Sequence, residues 1–334
     1  MKKFINRPES YVVEMLEGIL AAHPDQLAFA AGDKHCVIRS APGKNKVALV
    51  SGGGSGHLPL FLGYVGEGLL DGCAVGGVFQ SPSAEQWRET AKAAHAGKGV
   101  LFIYGNYTGD VMNYEMAKEM LEMDGIRADE ARGFDDVASA PKGEEQKRRG
   151  VAGIFFLYKC AGALAEAGAD LEAVKALALK VGSRVRSMGV ALSPCVIPEV
   201  GKPGFAIGAD EMEIGMGIHG EPGIRRGKLL PADQVADEIL DPILKDLELA
   251  AGDEAAVLIN GLGGTPLDEL YIVHRRVDQR LAEAGIKVFR AYVGEFATSM
   301  EMSGLSVSVL KLDAEIKELL AKPARSPFFE QRQL

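Results

Sequence analysis

Short apolar segments alternate with longer amphipathic segments between residues 46 and 180. Three of the apolar segments are typical of buried strands: KVALVS (46–51), CAVGGVF (73–79) and GVLFIYG (99–105). Apolar residues recur at helical spacing between and after these strands, in residues 83–97, 113–125 and 148–168. Strands that alternate with helices in this way predict a mostly parallel sheet with helices on both faces.

A second α/β pattern begins after residue 189. The predicted helix 170–189 ends at a glycine, and the apolar run VALSPCVI (190–197) follows it. The pattern beyond this run predicts two helices, 232–250 and 266–285, and four strands, 211–218, 255–261, 287–294 and 305–312. We therefore predict an α/β fold with two domains, an N-terminal α/β domain of residues 1–189 and a smaller, mixed α/β domain of residues 190–334.

One long polar segment interrupts the predicted first domain. Residues 128–150 are rich in charged and small side chains, which is typical of a surface loop whose charges face solvent. Within it, FDDVAS (134–139) could form a short strand or a turn.

Composition and charge narrow the range of functions. The chain has 334 residues, of which 47% are hydrophobic and 25% are charged, and its net charge is −9. An acidic surface does not neutralise phosphates, so we expect no nucleic-acid partner. The N-terminus lacks the apolar run of a signal peptide, and the longest apolar stretch contains Lys159 and falls short of the ~20 residues that span a bilayer. We expect a soluble, cytoplasmic protein without a membrane partner.

The four cysteines lie far apart in the sequence. Their spacing fits neither a set of zinc ligands nor a disulfide framework. We therefore expect reduced, buried thiols and no metal site.

The first candidate site is VSGGGSGHLP (50–59), where a predicted strand is followed by glycines, two serines and His57. Glycines allow a backbone to approach a ligand closely and to direct N–H groups towards an anion or a sugar oxygen. The segment is neither a P-loop nor a dinucleotide-binding fingerprint. A tight turn that leaves His57 on the surface is an equally simple interpretation.

The second candidate is YGNYTGDVMN (104–113), which also follows a predicted strand directly. Its Asp110 would lie at the carboxyl end of the sheet, where open α/β folds bind ligands. A carboxylate there can accept a proton from a hydroxyl or bind a cation. Alternatively, Asp110 caps the helix that starts near Val111.

The third candidate is GIHGEPG (217–223), in which glycines and a proline surround His219 and Glu221. A neutral imidazole is a nucleophile and could attack a carbonyl. His57 and His219 alone among the six histidines occur in glycine-rich loops, and the others are expected to have surface or packing roles. Proximity in sequence suggests that Glu221 or Glu213 orients the ring of His219.

Together and in this order, the three segments resemble the DhaK-type subunit of dihydroxyacetone kinases, the dihydroxyacetone-binding DAK1 domain family. Five further segments carry the resemblance along nearly the whole chain: FQSPS (79–83), RRGVAG (148–153), GKPGF (201–205), NGLGGTPLDELY (260–271) and GEFATSMEMSGLSVSVLKLD (294–313).

The resemblance implies a phosphotransferase with an alcohol acceptor. It implies a two-domain subunit that dimerises and binds a small ketose between its domains. His219 would hold the ketone as a reversible hemiaminal, and Asp110 would accept the proton of the hydroxyl that is phosphorylated. His57 would hydrogen-bond the substrate, with Gly54 and Ser81 lining the pocket.

The resemblance also implies that the phosphoryl donor is held elsewhere. No nucleotide-binding motif is recognisable in this sequence, so we expect no cofactor on this chain. A nucleotide-binding DhaL-type subunit would carry ADP or ATP with Mg. A phosphocarrier of the phosphotransferase system, fed by PEP, would rephosphorylate the ADP in one branch of the family, and ATP would exchange in another. The pathway implied is glycerol metabolism.

Two departures from the family pattern fall beside the pocket. The family has Glu after the histidine of the glycine turn, where this chain has Leu58, and commonly Lys before Asn-Tyr-Thr-Gly-Asp, where this chain has Gly105. The loss of an acid and a base could be one compensated change. It could also make room for a larger ketose, such as a tetrulose or a branched sugar, in place of dihydroxyacetone.

Two other functions remain open. Some DhaK-like paralogues bind the ketose and regulate a transcription factor, but binding alone does not require a base such as Asp110. In the simplest alternative, the glycine-rich loops are only turns that determine the fold.

Overall fold

The computed structural model describes residues 2–334, which form two units. The first unit contains residues up to Gly133, then Ile154–Val181, then Glu315–Leu334. The second contains Phe134–Gly153 and Gly182–Ala314. Each unit holds one six-stranded sheet.

Eight α-helices lie in the described residues: α1 (Tyr11–Ala22), α2 (Ala84–Ala94), α3 (Thr108–Met123), α4 (Ile154–Glu166), α5 (Leu171–Ser183), α6 (Ala232–Leu247), α7 (Leu267–Glu283) and α8 (Ala314–Ala321). The strands of residues 2–334 are β1 (Leu27–Ala30), β2 (Asp33–Arg39), β3 (Lys46–Ser55), β4 (Gly72–Val78), β5 (Gly97–Gly105), β6 (Ala128–Gly133), β7 (Val185–Ala191), β8 (Glu211–Ile214), β9 (Arg225–Lys228), β10 (Glu254–Gly261), β11 (Lys287–Gly294), β12 (Gly304–Lys311), β13 (Ala324–Ser326) and β14 (Phe329–Gln331).

The sheet of the first unit has the order β1-β2-β4-β3-β5-β6. Strands β4, β3, β5 and β6 are parallel to one another, whereas β1 and β2 pair antiparallel at one side. The predicted mostly parallel sheet is therefore confirmed. Its central strands match the predicted apolar runs because strands buried on both faces are continuously hydrophobic.

Helices cover both faces of this sheet, as the side chains of β3 demonstrate. Ala48 and Val50 point to a cluster that includes Trp87 of α2. Ser51 points the other way, and its hydroxyl lies 2.8 Å from the hydroxyl of Tyr158 in α4. Successive residues of a strand face opposite sides, so α2 and α4 pack on opposite faces.

The sheet of the second unit has the order β11-β10-β12-β7-β8-β9. Only β10 and β11 are parallel within it, and the other neighbours are antiparallel. Helices α6 and α7 pack on its core, which contains Ile239, Val257 and Val277. The prediction of a mixed α/β arrangement for the second part of the chain is confirmed.

Two local predictions differ from the structure. The helix predicted over 170–189 ends at Ser183, and its last residues belong to β7, which is buried throughout. The segment 128–150, predicted as a loop, begins with β6 at the end of the first sheet. Its sequence ADEARG carries charges because only one edge of this strand pairs with a neighbour.

The division between the units also differs from a single break after residue 189. Residues 134–153 and 182–189 belong to the second unit, and residues 315–334 belong to the first.

Buried charges explain why residues 134–153 belong to the second unit. Arg148 is 1% exposed and binds both carboxylate oxygens of Asp246, at 3.0 and 2.7 Å. Asp135, fully buried, accepts the N–H groups of Val151 and Gly153. These charges do not form the solvated face that was expected.

None of the helices in residues 2–334 is long and apolar enough to cross a membrane. The four cysteines are all buried, as predicted.

Lys159 of α4 is fully buried, and its ammonium donates to the carbonyl of Leu319 at 3.2 Å. Burial lowers the pKa of Lys159 to about 8. Between pH 8 and the ordinary lysine pKa of about 10.4, the unfolded chain binds a proton that the folded chain does not. We therefore predict that the first unit becomes more stable as pH rises through this range.

The substitution Lys159→Met should stabilise the first unit by about 1–3 kcal/mol at pH 7 and remove this pH dependence. The carbonyl of Leu319 would still accept the N–H of Lys322 at 3.2 Å. Urea unfolding followed by the fluorescence of Trp87, the single tryptophan, measures the effect. The matched control is Lys44→Met at an exposed position. Equal stability of Lys159→Met and the parent chain from pH 7 to 10 would contradict the prediction.

Candidate active site

Three neighbouring parallel strands, β4, β3 and β5, end at the same edge of the first sheet. The predicted site residues of this unit lie at or just beyond these ends: Gly54, His57 and Leu58 at β3, Ser81 after β4, and Gly105 and Asp110 at β5. The carboxyl edge of a parallel sheet is where open α/β folds bind ligands. The structure thus gathers all six at one edge.

His57 is buried, with 1% of its surface exposed, so it is not the surface residue of a simple turn. Its ring stacks on Phe79, with 4.8 Å between centroids and 19° between planes. The ring of Phe61 meets it edge to face, with 6.1 Å between centroids. This aromatic packing fixes the plane of the imidazole. Sequence reasoning missed both phenylalanines, because residue type alone gives no sign of this contact.

Gly54 allows β3 to approach the segment that follows β4. A Cβ atom at this position would lie 2.7 Å from the backbone nitrogen of Gln80 and 2.8 Å from Cα of Phe79. The N–H of Phe79 donates to the carbonyl of Ser55 at 3.0 Å, which holds the two segments together. This close approach places Ser81 beside the end of β3.

Asp110 is the third residue of α3 and is 7% exposed. The residue that precedes the helix is Tyr107, so Asp110 is not the helix cap. A carboxylate in the first turn interacts favourably with the positive end of the helix. The same helix contacts Ser81, whose hydroxyl oxygen accepts from the side-chain amide of Asn113 at 3.1 Å. Helix α3 therefore carries Asp110 in its first turn and contacts Ser81 through Asn113.

In the second unit, His219 lies in the loop between β8 and β9, and Glu221 holds it at two points. One carboxylate oxygen lies 3.0 Å from Nδ1 of the ring, and the other accepts the backbone N–H of His219 at 2.9 Å. Glu213 instead accepts the N–H of Gly223 and pairs with Arg226. Of the two carboxylates considered from sequence, Glu221 is the one that orients the ring.

The charge on Glu221 is stabilised where it lies. Burial acts to raise its pKa, but the hydrogen bond to His219, the electrostatic interaction with that ring and the guanidinium of Arg149 lower it to about 2. A neutral His219 that donates Nδ1–H to this carboxylate carries its lone pair on Nε2. In such a ring Nε2 is the nucleophilic atom, and the bond to Glu221 determines where its lone pair points. Sequence reasoning missed Arg149, although it lies within the segment RRGVAG (148–153).

The other four histidines have packing or terminal positions: His23 against Phe328, His35 bonded to the carbonyl of Val75, His95 at the end of α2, and His274 against Tyr271. No group of three or more histidine, cysteine or carboxylate side chains in residues 2–334 could hold a metal ion.

The chain is similar to known proteins along nearly its whole length. The Dak1 domain model matches residues 17–328. The chain is 45% identical over 331 residues to the dihydroxyacetone-binding subunit DhaK of the PTS-dependent dihydroxyacetone kinase 2 of Listeria innocua, covering 99% of each protein. It is 44% identical to an L-erythrulose kinase of Pectobacterium atrosepticum, covering 99% of this chain and 56% of that one.

A solved structure titled as a dihydroxyacetone kinase operon co-activator, DhaQ, is similar at 32% identity with a TM-score of 0.88. The match covers 93% of this chain and 96% of that structure. The identities and coverage together place the sequence in one family, and the chain belongs to the Dak1 domain family.

Proposed function

We propose that this chain is the ketose-binding subunit of a dihydroxyacetone kinase, and that it acts in the cytoplasm as a homodimer. The observation that carries the proposal is the pair His219–Glu221, 3.0 Å apart in a rigid glycine-rich loop. The 45% identity to a dihydroxyacetone-binding subunit along both whole chains supports the same activity.

His219 would form a hemiaminal with the ketone. The lone pair of Nε2 attacks the carbonyl carbon, and the π electrons move to the carbonyl oxygen. The ring passes its Nδ1 proton to Glu221, the alkoxide oxygen takes a proton from water, and the hydroxide so formed takes the proton from Glu221. The net change is one proton moved from the ring to the oxygen, with no leaving group, so the addition is reversible. Glu221 supports the step because an ionised carboxylate stabilises the positive charge that develops on the ring.

A covalent bond suits a substrate of this size. A three- or four-carbon ketose offers little surface, so contacts alone provide little binding free energy. A bond to the carbonyl also rejects glycerol and other polyols, which have no carbonyl.

Phosphoryl transfer then requires positioning and a base. Asp110 would accept the proton of the substrate hydroxyl while the hydroxyl oxygen attacks the phosphorus and the bond to the donor nucleotide breaks. His57 would hydrogen-bond the substrate, with Gly54 and Ser81 lining the pocket. ADP or ATP with Mg would be held by a DhaL-type partner subunit, which a phosphocarrier of the phosphotransferase system could recharge.

A four-carbon ketose is the second candidate substrate. The relative named L-erythrulose kinase is almost as similar as the dihydroxyacetone-binding subunit, at 44% identity. Leu58 and Gly105 stand where the family pattern has an acid and a base. A regulatory role is the second candidate function, since the chain resembles the co-activator structure at 32% identity. Asp110 favours the kinase, because binding alone needs no base.

We predict that His219→Gln abolishes the covalent adduct. The carbonyl carbon of ¹³C-labelled dihydroxyacetone or erythrulose becomes tetrahedral in the adduct with the parent chain, and ¹³C NMR detects this change. The variant should show only the free ketone, because glutamine lacks the nucleophilic nitrogen. His95→Gln, at the end of α2, serves as the control and should form the adduct normally. An adduct that persists in His219→Gln would exclude the hemiaminal at this residue.

Asp110→Asn should form the adduct but lose turnover. General-base catalysis contributes about 10²–10⁴-fold, so we expect kcat to fall by at least about 100-fold with ketose affinity nearly unchanged. A coupled assay of ketose phosphorylation with a DhaL-type subunit and ATP measures it. Glu115→Gln, on an exposed position of the same helix, is the control. Near-normal kcat would remove Asp110 from the role of base, and no turnover by the parent chain would favour the regulatory function.

The double substitution Leu58→Glu with Gly105→Lys should shift preference towards dihydroxyacetone. Restoring the acid and the base together should lower the ratio of kcat/KM for erythrulose to that for dihydroxyacetone by roughly 10-fold. Each single substitution should lose more activity than the pair, because it introduces one charge without its partner. Steady-state kinetics on both ketoses test this. An unchanged ratio would mean that these positions do not determine the ketose.

A further inference from the structure

Arg149 of the second unit is held by three groups. Its Nε and Nη2 donate to one oxygen of Asp136, at 2.9 and 2.7 Å, and Nη2 also donates to the carbonyl of Gly215 at 3.0 Å. Its backbone N–H donates to the hydroxyl of Ser139 at 3.0 Å. Only 15% of the side chain is exposed. The guanidinium therefore has little freedom to rotate.

The remaining nitrogen of this group, Nη1, lies 4.0 Å from Oε2 of Glu221. The same Oε2 accepts the backbone N–H of His219, and Oε1 lies 3.0 Å from Nδ1 of the ring. The charges alternate from Asp136 through Arg149 to Glu221, and the series ends on the imidazole. Each charge thus has an opposite charge beside it, as groups with limited access to water require.

Gly217 makes this arrangement possible. A Cβ atom at this position would lie 2.6 Å from Nη1 of Arg149 and would collide with Oε2 of Glu221. The N–H of Gly217 also donates to the carbonyl of Glu221 at 3.1 Å. The loop is therefore shaped so that the guanidinium can approach the carboxylate that holds His219.

We propose that Arg149 is a positioning residue for His219, because it holds the carboxylate of Glu221 in the orientation that keeps the ring proton on Nδ1 and the lone pair on Nε2. Arg149 acts through Glu221. The hydrogen bond at one nitrogen of a histidine sets which tautomer is present, so the orientation of Glu221 decides which nitrogen is nucleophilic. The lowered pKa of Glu221 agrees with this role.

The effect of Arg149 on formation of the ketose adduct rests on the proposed function, whereas its effect on the tautomer of His219 is independent of that function. A purely structural role for Arg149 would be to fasten residues 134–153 to the loop 217–223, since its contacts span both segments. The test must therefore detect the state of the ring and not only activity or folding.

The experiment uses the full chain labelled with ¹⁵N in histidine. The ¹⁵N shifts of Nδ1 and Nε2 report the tautomer, and His219→Gln assigns the signals. The parent chain should show a proton on Nδ1. In Arg149→Gln the shifts should move towards a mixture of tautomers. The equilibrium constant for the ketose adduct should fall roughly 10-fold, because the loss of one charged contact should weaken the adduct by about 1.4 kcal/mol. Arg149→Lys should restore part of both.

Arg225→Gln is the matched control, because the guanidinium of Arg225 pairs with Glu238 of α6 in the same unit. It should leave the shifts and the adduct unchanged. Circular dichroism and melting curves check that each variant is folded. If Arg149→Gln does not fold, Asp136→Asn replaces it, since it removes the anchor of Arg149 without changing the side-chain volume, and the same shift of tautomers is expected.

Unchanged ¹⁵N shifts in a folded Arg149→Gln or Asp136→Asn protein would overturn the proposal. An unchanged adduct constant together with altered shifts would also overturn it, since the tautomer would then not matter for the nucleophile. Failure of the proposed function has a different signature: the parent chain would form no adduct with any ketose, while the ring would still carry its proton on Nδ1.

Discussion

The candidate site of the first unit depends on the absence of side chains at the end of its central strand. A Cβ atom at Gly52 would lie 2.7 Å from the indole of Trp87, and one at Gly53 would collide with the ring of Phe61. At Gly54 it would meet the backbone that follows β4. Protein interiors are packed too densely to absorb three such clashes. The three glycines thus allow α2, the aromatic rings and the neighbouring strand to close on β3.

In the second unit, ion pairs hold the loop of His219 in place. Asp136 and Arg149 come from a segment more than sixty residues before Glu221, and the fold brings all three into one series of opposite charges. Removing one member of a buried ion pair costs about 3–5 kcal/mol, because the other charge loses its partner. These ion pairs connect the loop that carries His219 to the rest of the second unit. Because breaking one of them would destabilise the fold, the geometry of the loop is well defined.

Much of this could be predicted from sequence, and the failures have a common cause. Strands β3, β4, β5, β10, β11 and β12 are rich in apolar residues, so the hydrophobic pattern located them to within a few residues. The strands that were not predicted are β1, β2, β6 and β9, which lie towards the edges of the two sheets, the short hairpin β13–β14, and β7, whose residues up to 189 were predicted as helix. Edge strands carry polar residues, and a short apolar run fits either element.

The candidate catalytic residues could be predicted because each is a reactive residue type in an unusual sequence context. His57 and His219 stand out because glycines surround them, and Asp110 because it follows a buried strand. Glu221 was one of the two carboxylates predicted to orient His219, but the other partners could not be found from sequence. The rings that pack on His57 and the guanidinium near Glu221 are ordinary residues until the fold brings them into contact. The roles of Leu58 and Gly105 stay predictions, because they concern the ligand and not the fold.

The path of the chain has a consequence for its synthesis. The first unit contains the N-terminal part of the chain, but its last helix and its hairpin come from residues 315–334. In this segment, Arg325 donates its N–H to the carbonyl of Glu67, and Ser326 donates its hydroxyl to the carbonyl of Gly63. On the ribosome, the second unit has its complete sequence while the first still lacks these contacts. The unit that starts first is therefore the last to finish, and α4 of a nascent chain lacks its contacts with Leu319 and Phe329 until residues 315–334 emerge.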